Sequence, residues 1–247
     1  MLFINKIFVS TTLLFSVYNS NGQATKKIVA KPVASKPKIT VKAKPTQTLA
    51  TPKIEGTRIK ITTDSGTIVV RLYDKTPLHR DNFIKLVNSH FYDSLLFHRI
   101  IAGFMIQGGD PESKNAVPDQ MLGKGDIGYT IPAEFDSTLF HKKGALAAAR
   151  TNNPEKASSG CQFYLVQGKK MTEQELSTIE NQTGIYFSPT KKKAYTQLGG
   201  TPMLDMNYTV FGEVETGIEV IDRIAGSQKN GMNRPNTDIR MKMELIK

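Results

Sequence analysis

Residues 97–110 read Phe-His-Arg-Ile-Ile-Ala-Gly-Phe-Met-Ile-Gln-Gly-Gly-Asp, so the guanidinium of Arg99 and the amide of Gln107 stand among large apolar side chains. A purely architectural reading is available: two buried strands joined at Ala102-Gly103 and closed by a glycine turn at 108–109. That reading leaves the two polar residues without a purpose. A strand pair that buries Phe104 and Met105 on one surface places a cation and an amide beside an apolar pocket, a composition suited to a small apolar group attached to a polar peptide bond. Other chemistries lack their signatures. The four histidines (79, 90, 98 and 141) show no HExxH spacing and no carboxylate–histidine cluster, so no metal site is expected. No nucleophile elbow, P-loop or dinucleotide fingerprint occurs, and no cofactor is expected. The glycines of Gly-Lys-Gly-Asp-Ile-Gly at 123–128 invite comparison with a phosphate cradle, but no helix with a Lys-Ser/Thr start follows, and loop turns explain them more simply. Cys161 is the single cysteine; it excludes an internal disulfide and multi-thiolate zinc, and its strand-like context reads as a packed thiol.

The elements that would position Arg99 and Gln107 are mostly short strands. Arg58 to Thr62 and Val70 to Leu72 alternate polar and apolar residues around the turn signal Thr63-Asp64-Ser65-Gly66, which predicts a hairpin. Thr76-Pro77 has the form of an N-cap followed by a first-turn proline, and Phe83, Leu86, Val87 and Phe91 follow at helical spacing as candidate core. Short β-type runs come next at 97–101, 104–107, 129–131, 145–149 and 162–167. Residues 168–200 differ: Thr172 and Glu175 have capping-box spacing, and Ser188-Pro189 opens a second helical stretch ending at Gly199. Strand character returns at 209–212, a short helix is expected near 217–225, and 239–243 alternates as a closing strand. Many short strands and few helices predict a mainly β protein, an antiparallel barrel or sandwich with a helical excursion, and not a βαβ sheet.

The chain has 247 residues, a formal charge of +11, 39% hydrophobic residues and no tryptophan, which fits a soluble protein with a true core. The charge is unevenly placed. Nine of the 33 basic residues precede Glu55 and all 22 acidic residues lie from Glu55 onward, leaving 24 basic against 22 acidic in the remainder. Residues 1–22 combine Lys6, an apolar run from Ile7 to Val17 and the small residues Ser20-Asn21-Gly22, the pattern of a secretory signal peptide; an uncleaved anchor is the alternative, and no cysteine follows for lipid attachment. Residues 23–54 are a Lys/Pro-rich spacer, too poor in apolar surface to offset the entropy of ordering it. Export to the periplasm or cell envelope is expected, with extracellular release as the alternative. The spacer is expected to be solvated, with weak association to anionic envelope surfaces as the sharper reading. It lacks the aromatics and arginines of a nucleic-acid arm.

Several long motifs, in order, are similar to those of one family. FHRIIAGFMIQGGD (97–110), GYTIPAEF (128–135), GALAAART (144–151), SGCQFYLV (159–166) and TPMLDMNYTVFGEV (201–214) resemble the cyclophilin-type peptidyl-prolyl cis-trans isomerases across 57–247. The resemblance implies a closed eight-stranded antiparallel barrel capped by two helices, with the site on its outer face and 168–200 as a helical insertion relative to compact members. It implies Arg99 as the catalytic residue. It further implies that Phe104, Met105, Gln107, Gln162, Tyr164 and Leu204 line the site, with Ala149, Arg150 and Tyr208 around it. Proline-containing polypeptides would be the partners, and no cofactor is called for. Met203 stands where animal-type members often carry Trp, Tyr208 where they often carry His, and Arg150 where many carry Asn, substitutions of the kind seen in bacterial-type relatives. Met cannot supply the indole N–H, which argues against strong cyclosporin binding. A non-catalytic module that binds proline peptides, or a chaperone, is the alternative that the motifs leave open.

Overall fold

The computed structural model describes residues 56–246. The signal and spacer expected at 1–22 and 23–54 lie outside the described residues. In chain order the elements are β1 (Arg58–Thr63), β2 (Gly66–Leu72), α1 (Pro77–Asn88), β3 (Arg99–Ile101), β4 (Met105–Gly108), β5 (Thr130–Ile131), β6 (Ala145–Ala148), β7 (Ser158–Ser159) and β8 (Phe163–Val166). After these come α2 (Glu173–Thr183), α3 (Pro189–Gln197), β9 (Val210–Thr216), α4 (Ile218–Ala225) and β10 (Met241–Ile246), with short 3-10 turns at Pro111–Asn115 and Pro202–Leu204.

Eight strands form one antiparallel sheet in the order β10-β1-β2-β9-β6-β8-β4-β3. The expected barrel closes through the segments flanking its end strands. Leu96 bridges Arg240, Phe97 N–H donates to the Ile239 carbonyl (3.0 Å), and Met241 N–H donates to the Leu95 carbonyl (2.9 Å). The run expected as a strand at 129–131 lies outside this sheet, as β5 paired with β7. The closing strand begins two residues later than the alternation at 239–243 predicts, because Ile239 is spent on the closure.

Period-two alternation sends Ile59, Ile61, Ile68 and Val70 of the first hairpin inward, all fully buried. α1 closes one end of the core with Phe83, Leu86 and Val87, the Phe83 ring standing 5.0–5.5 Å from Tyr92, Phe163 and Phe211. α4 contributes Val220, Ile221 and Ile224 to the same core. Strands β6 and β8 are buried at every residue. Leu146, Phe163 and Leu165 join the barrel core, while Ala147, Tyr164 and Val166 join a second apolar cluster on the outer face, with Met105, Val210, Phe104, Leu204 and Tyr208. Strands covered on both sides read as continuous apolar runs instead of alternating ones.

The two helices of 168–200 carry their expected caps. The Thr172 side chain accepts from Glu175 N–H while Glu175 accepts from Thr172 N–H, and the Ser188 hydroxyl accepts from Lys191 N–H. They share a small core of Met171, Leu176, Ile179, Phe187 and Tyr195.

One expected cap is supplied from elsewhere. Thr76 makes no side-chain bond to the start of α1. Glu134, 55 residues further on, accepts from the backbone N–H groups of Leu78 and His79 (both 3.0 Å) and from the His79 ring (2.7 Å). His79 holds Ser158 with its other ring nitrogen (2.9 Å), so the helix start is tied to β7. A carboxylate there satisfies two orphan donors and complements the helix dipole. Glu134→Ala is expected to cost about 1–3 kcal/mol in urea denaturation, more than Thr76→Ala; the opposite ranking would return the cap to Thr76.

Candidate active site

Register places the chemical groups in one row. Arg99 of β3 pairs with Gln107 of β4, Gln107 with Tyr164 of β8, and Tyr164 with Ala147 of β6. Residues directly opposite one another share a face, so guanidinium, amide and phenol emerge side by side on the outer surface. Around them lies a cavity of about 70 Å³ lined by Arg99, Phe104, Met105, Gln107, Ala149, Tyr164, Leu204 and Tyr208. Met105 and Tyr164 are buried and form its floor; Phe104, Ala149, Leu204 and Tyr208 are half-buried and form its rim.

The remaining two expected site residues sit one step away. Arg150 lies with its guanidinium 4.7 Å from the Tyr208 ring centre, and its Nε donates to the Asn207 carbonyl (3.0 Å). It therefore buttresses Tyr208 from behind the rim. Gln162 does not line the small cavity. Its Nε2 donates to the carbonyls of Gly125 (2.7 Å) and Gly123 (3.2 Å), and its Oε1 accepts from Gln107 Nε2 (2.9 Å). Both residues border a neighbouring cavity of about 420 Å³ formed with Gly123 to Asp126, Gly128 to Thr130, Thr151, Ala157 and Ser159.

These bonds have a direction. The carbonyls of 123 and 125 can only accept, so they claim the Gln162 amide nitrogen and turn its oxygen to Gln107. Gln107 then donates to that oxygen and presents its own oxygen to Arg99, whose guanidinium donates to it at 3.2 Å. A half-buried arginine is thereby held in place by a neutral acceptor, with its other N–H groups left for a ligand. The 123–128 glycines explained in sequence as loop turns have a specific reason here. A Cβ at Gly125 would overlap the Asp110 carboxylate, which itself accepts from the backbone N–H groups of Glu112 and Gly123 and fixes the loop.

Charge around the arginine is controlled as well. Burial holds His98, next in the chain, down from 6.5 to about 4; Asp110 opposes this, and the charges of Arg99 and Arg234 reinforce it. A neutral imidazole therefore flanks Arg99 near neutrality. Burial likewise keeps Tyr164 a neutral phenol far above its ordinary range, and Cys161 is pushed up from 9.0 to about 11, first by burial. That thiol is packed, as expected, although it lies in the bend between β7 and β8 and not in a strand. Among the described residues no group of three or more His, Cys, Asp or Glu side chains is placed to hold a metal ion.

The family model for "Cyclophilin type peptidyl-prolyl cis-trans isomerase/CLD" matches residues 58–244. The chain belongs to the cyclophilin-type peptidyl-prolyl cis-trans isomerases. It is 33% identical over 190 residues to a peptidyl-prolyl cis-trans isomerase of Staphylococcus saprophyticus, covering 76% of this chain and 91% of that protein. It is also 35% identical over 187 residues to a bifunctional phosphatase/peptidyl-prolyl cis-trans isomerase of Streptococcus pyogenes, matching 74% of this chain and only 37% of that longer protein. The fold agrees with the crystal structure of a Cryptosporidium parvum cyclophilin (TM-score 0.59, 21% identity, covering 78% of this chain and 98% of that one). The enzyme is a cyclophilin-type isomerase by homology, and cyclophilins bind proline-containing peptides.

Two buried polar residues beside the cyclophilin site, His141 and Asp205, escaped the sequence reading. Isolated His and Asp residues 64 positions apart carry no spacing signal, and only the fold brings them together at 2.9 Å. The histidine charges have a further consequence. His79 is also held below its ordinary value, first by burial and against the pull of Glu134. The unfolded chain takes up protons near pH 6.5, whereas the folded enzyme resists until about 4 at His98. Their contribution is therefore complete above pH 6.5 and lost as pH falls through the folded values. Urea midpoints should decline across that window and His98→Gln should flatten the decline; a native profile that stays level from pH 6.5 to 4 would contradict it.

Proposed function

We propose that this cyclophilin accelerates rotation about Xaa-Pro bonds in exported proteins as they fold, with Arg99 as its catalytic residue. The observation that carries the reading is the convergence of a positioned guanidinium, a small apolar cavity and hydrogen-bonding groups on one face. A prolyl amide resists rotation by ~18–20 kcal/mol because resonance makes its C–N bond partly double. A turnover near ~10³ per second corresponds to a barrier of ~13 kcal/mol, so roughly 5–7 kcal/mol must be removed. No bond between heavy atoms breaks, and the task needs neither a nucleophile nor a cofactor.

Twisting the amide pyramidalises the prolyl nitrogen and localises its lone pair. Arg99 donates a hydrogen bond to that lone pair, an interaction that the planar ground state does not offer, so it stabilises the twisted state selectively. Because Gln107 already takes one N–H, the fork is aimed before substrate arrives and little entropy is lost at the reacting centre. Phe104, Met105, Tyr164 and Leu204 grip the pyrrolidine ring, Ala149 and Tyr208 border it, and Arg150 and Gln162 support the neighbouring peptide from the larger cavity. A charge-assisted bond contributes about 1.5–3 kcal/mol; desolvation and positioning in the apolar cavity supply the remainder.

The setting follows from the N-terminal composition. Residues 1–22 direct export to the periplasm or cell envelope, and the basic spacer 23–54 holds the enzyme near anionic envelope surfaces by charge alone. Outside the cytoplasm, slow prolyl isomerisation remains a rate-limiting step for folding clients. Deleting residues 2–22 should leave the enzyme in the cytosolic fraction, and an unchanged distribution would remove the export reading. In NMR exchange measurements on an Ala-Pro-Phe peptide, Arg99→Ala is expected to lower kcat/KM by about 10- to 150-fold. Peptide binding without accelerated exchange by the native protein would instead favour a non-catalytic module.

A further inference from the structure

The helical segment 168–200 returns to the barrel where it leaves it. Lys169 bridges Gly200, Lys142 bridges Gly200 from the other side, and a Cβ at Gly200 would overlap both the His141 carbonyl and the Tyr195 ring. Such close approach seats α3 directly against the segment that enters β6. Two of its side chains turn into the body of the enzyme. Lys191 Nζ lies 3.0 Å from Asp205 Oδ2, and the Tyr195 hydroxyl lies 2.9 Å from Asp205 Oδ1. Asp205 also receives the His141 backbone N–H (3.0 Å) and the His141 Nδ1 (2.9 Å), and His141 Nε2 lies 3.0 Å from the Tyr164 hydroxyl. All five residues are buried, none more than 6% exposed.

Donor and acceptor roles propagate along this chain. Burial alone would raise Asp205, but hydrogen bonds from His141 and the charge of Lys191 carry it below its ordinary value, so it is an anion with acceptors only. Lys191, Tyr195 and His141 Nδ1 therefore donate to it. The remaining His141 nitrogen accepts, and Tyr164, a neutral phenol, donates to it. The His141 and Tyr164 rings lie nearly parallel, their planes 15° apart. Tyr164 is the residue whose face closes the bottom of the prolyl cavity. A buried hydroxyl with one acceptor and one fixed direction leaves its ring a single low-energy setting.

We propose that the helical segment 168–200 is a working part of the isomerase site, with Lys191 and Tyr195 acting as positioning residues that fix the Tyr164 ring through Asp205 and His141. The proposal rests on reading the Arg99 cavity as the prolyl site. If the cluster only fastened the segment to the barrel, its loss would alter stability without acting through Tyr164.

The test measures Ala-Pro-Phe exchange by NMR for native enzyme, Tyr195→Phe, Lys191→Met, Tyr164→Phe and the double variants. Tyr195→Phe and Lys191→Met should each lower kcat/KM by about 3- to 10-fold. In the Tyr164→Phe background each should add less than about twofold, because the hydroxyl through which they act is gone. The Tyr164 ring resonances should move in Tyr195→Phe. They should not move in Lys192→Ala, which loses only a pair with Glu180 inside the segment and should keep native kcat/KM. Should Lys191→Met not fold, Tyr195→Phe decides alone, since Asp205 keeps three donors. Losses below twofold, or equal losses in both backgrounds, would overturn the proposal. Arg99→Ala in the same assay separates the two readings. If it is impaired while Tyr195→Phe is native-like, only the positioning role falls; if it retains full activity, the site assignment falls and this proposal with it.

Discussion

Burial of β6 and β8 on both faces is the constraint on which the rest of this structure depends. Phe163 and Leu165 face the barrel core while Tyr164 and Val166 face outward into the second cluster. An ordinary barrel would leave that outward face to water. Here it is covered by Phe104, Leu139, Leu204 and Tyr208, and the small cavity is what remains where the cover is incomplete. The site is thus an opening in a packed layer, bounded by strands that cannot shift register without exchanging Tyr164 for Phe163 or Leu165.

Upon that layer the polar groups are arranged by a strict order of donors and acceptors. Backbone carbonyls at 123 and 125 orient Gln162, Gln162 orients Gln107, and Gln107 holds Arg99. Each amide has only one way round that satisfies its neighbours, so the order begins at groups that cannot reverse their roles. A second chain, from Asp205 through His141 to Tyr164, works by the same logic and ends on another residue that lines the cavity. Pre-set groups of this kind stabilise charge redistribution without reorganising during the reaction.

Much of this was legible in residues 97–110 alone. Arg99 and Gln107 stood out because polar side chains in an apolar run need a reason, and their cross-strand pairing follows from a hairpin turning at Ala102-Gly103. The caps of α2 and α3 were legible because capping is local: Thr172 and Glu175 are three residues apart. The cap of α1 was not, since Glu134 reaches it from 55 positions away and Thr76-Pro77 mimics the local signal. The motif at 159–166 puts Gln162 at the site with Tyr164, and the structure sets it against Gln107 on the border of the larger cavity. Its bonds to the loop carbonyls at 123 and 125, 39 and 37 positions away, carry no local signal.

The +11 formal charge, its concentration before Glu55, the strand-rich pattern and the standing of Arg99 and Gln107 among large apolar residues were all determined by the sequence by itself, because each depends on composition or on neighbours a few residues apart. Tertiary structure alone decided which groups Arg99 touches, how the barrel closes through Leu96 and Arg240, and that α3 reaches the site through Asp205. Those are contacts between residues far apart in the chain, and their geometry exists only once the barrel has brought its strands into register.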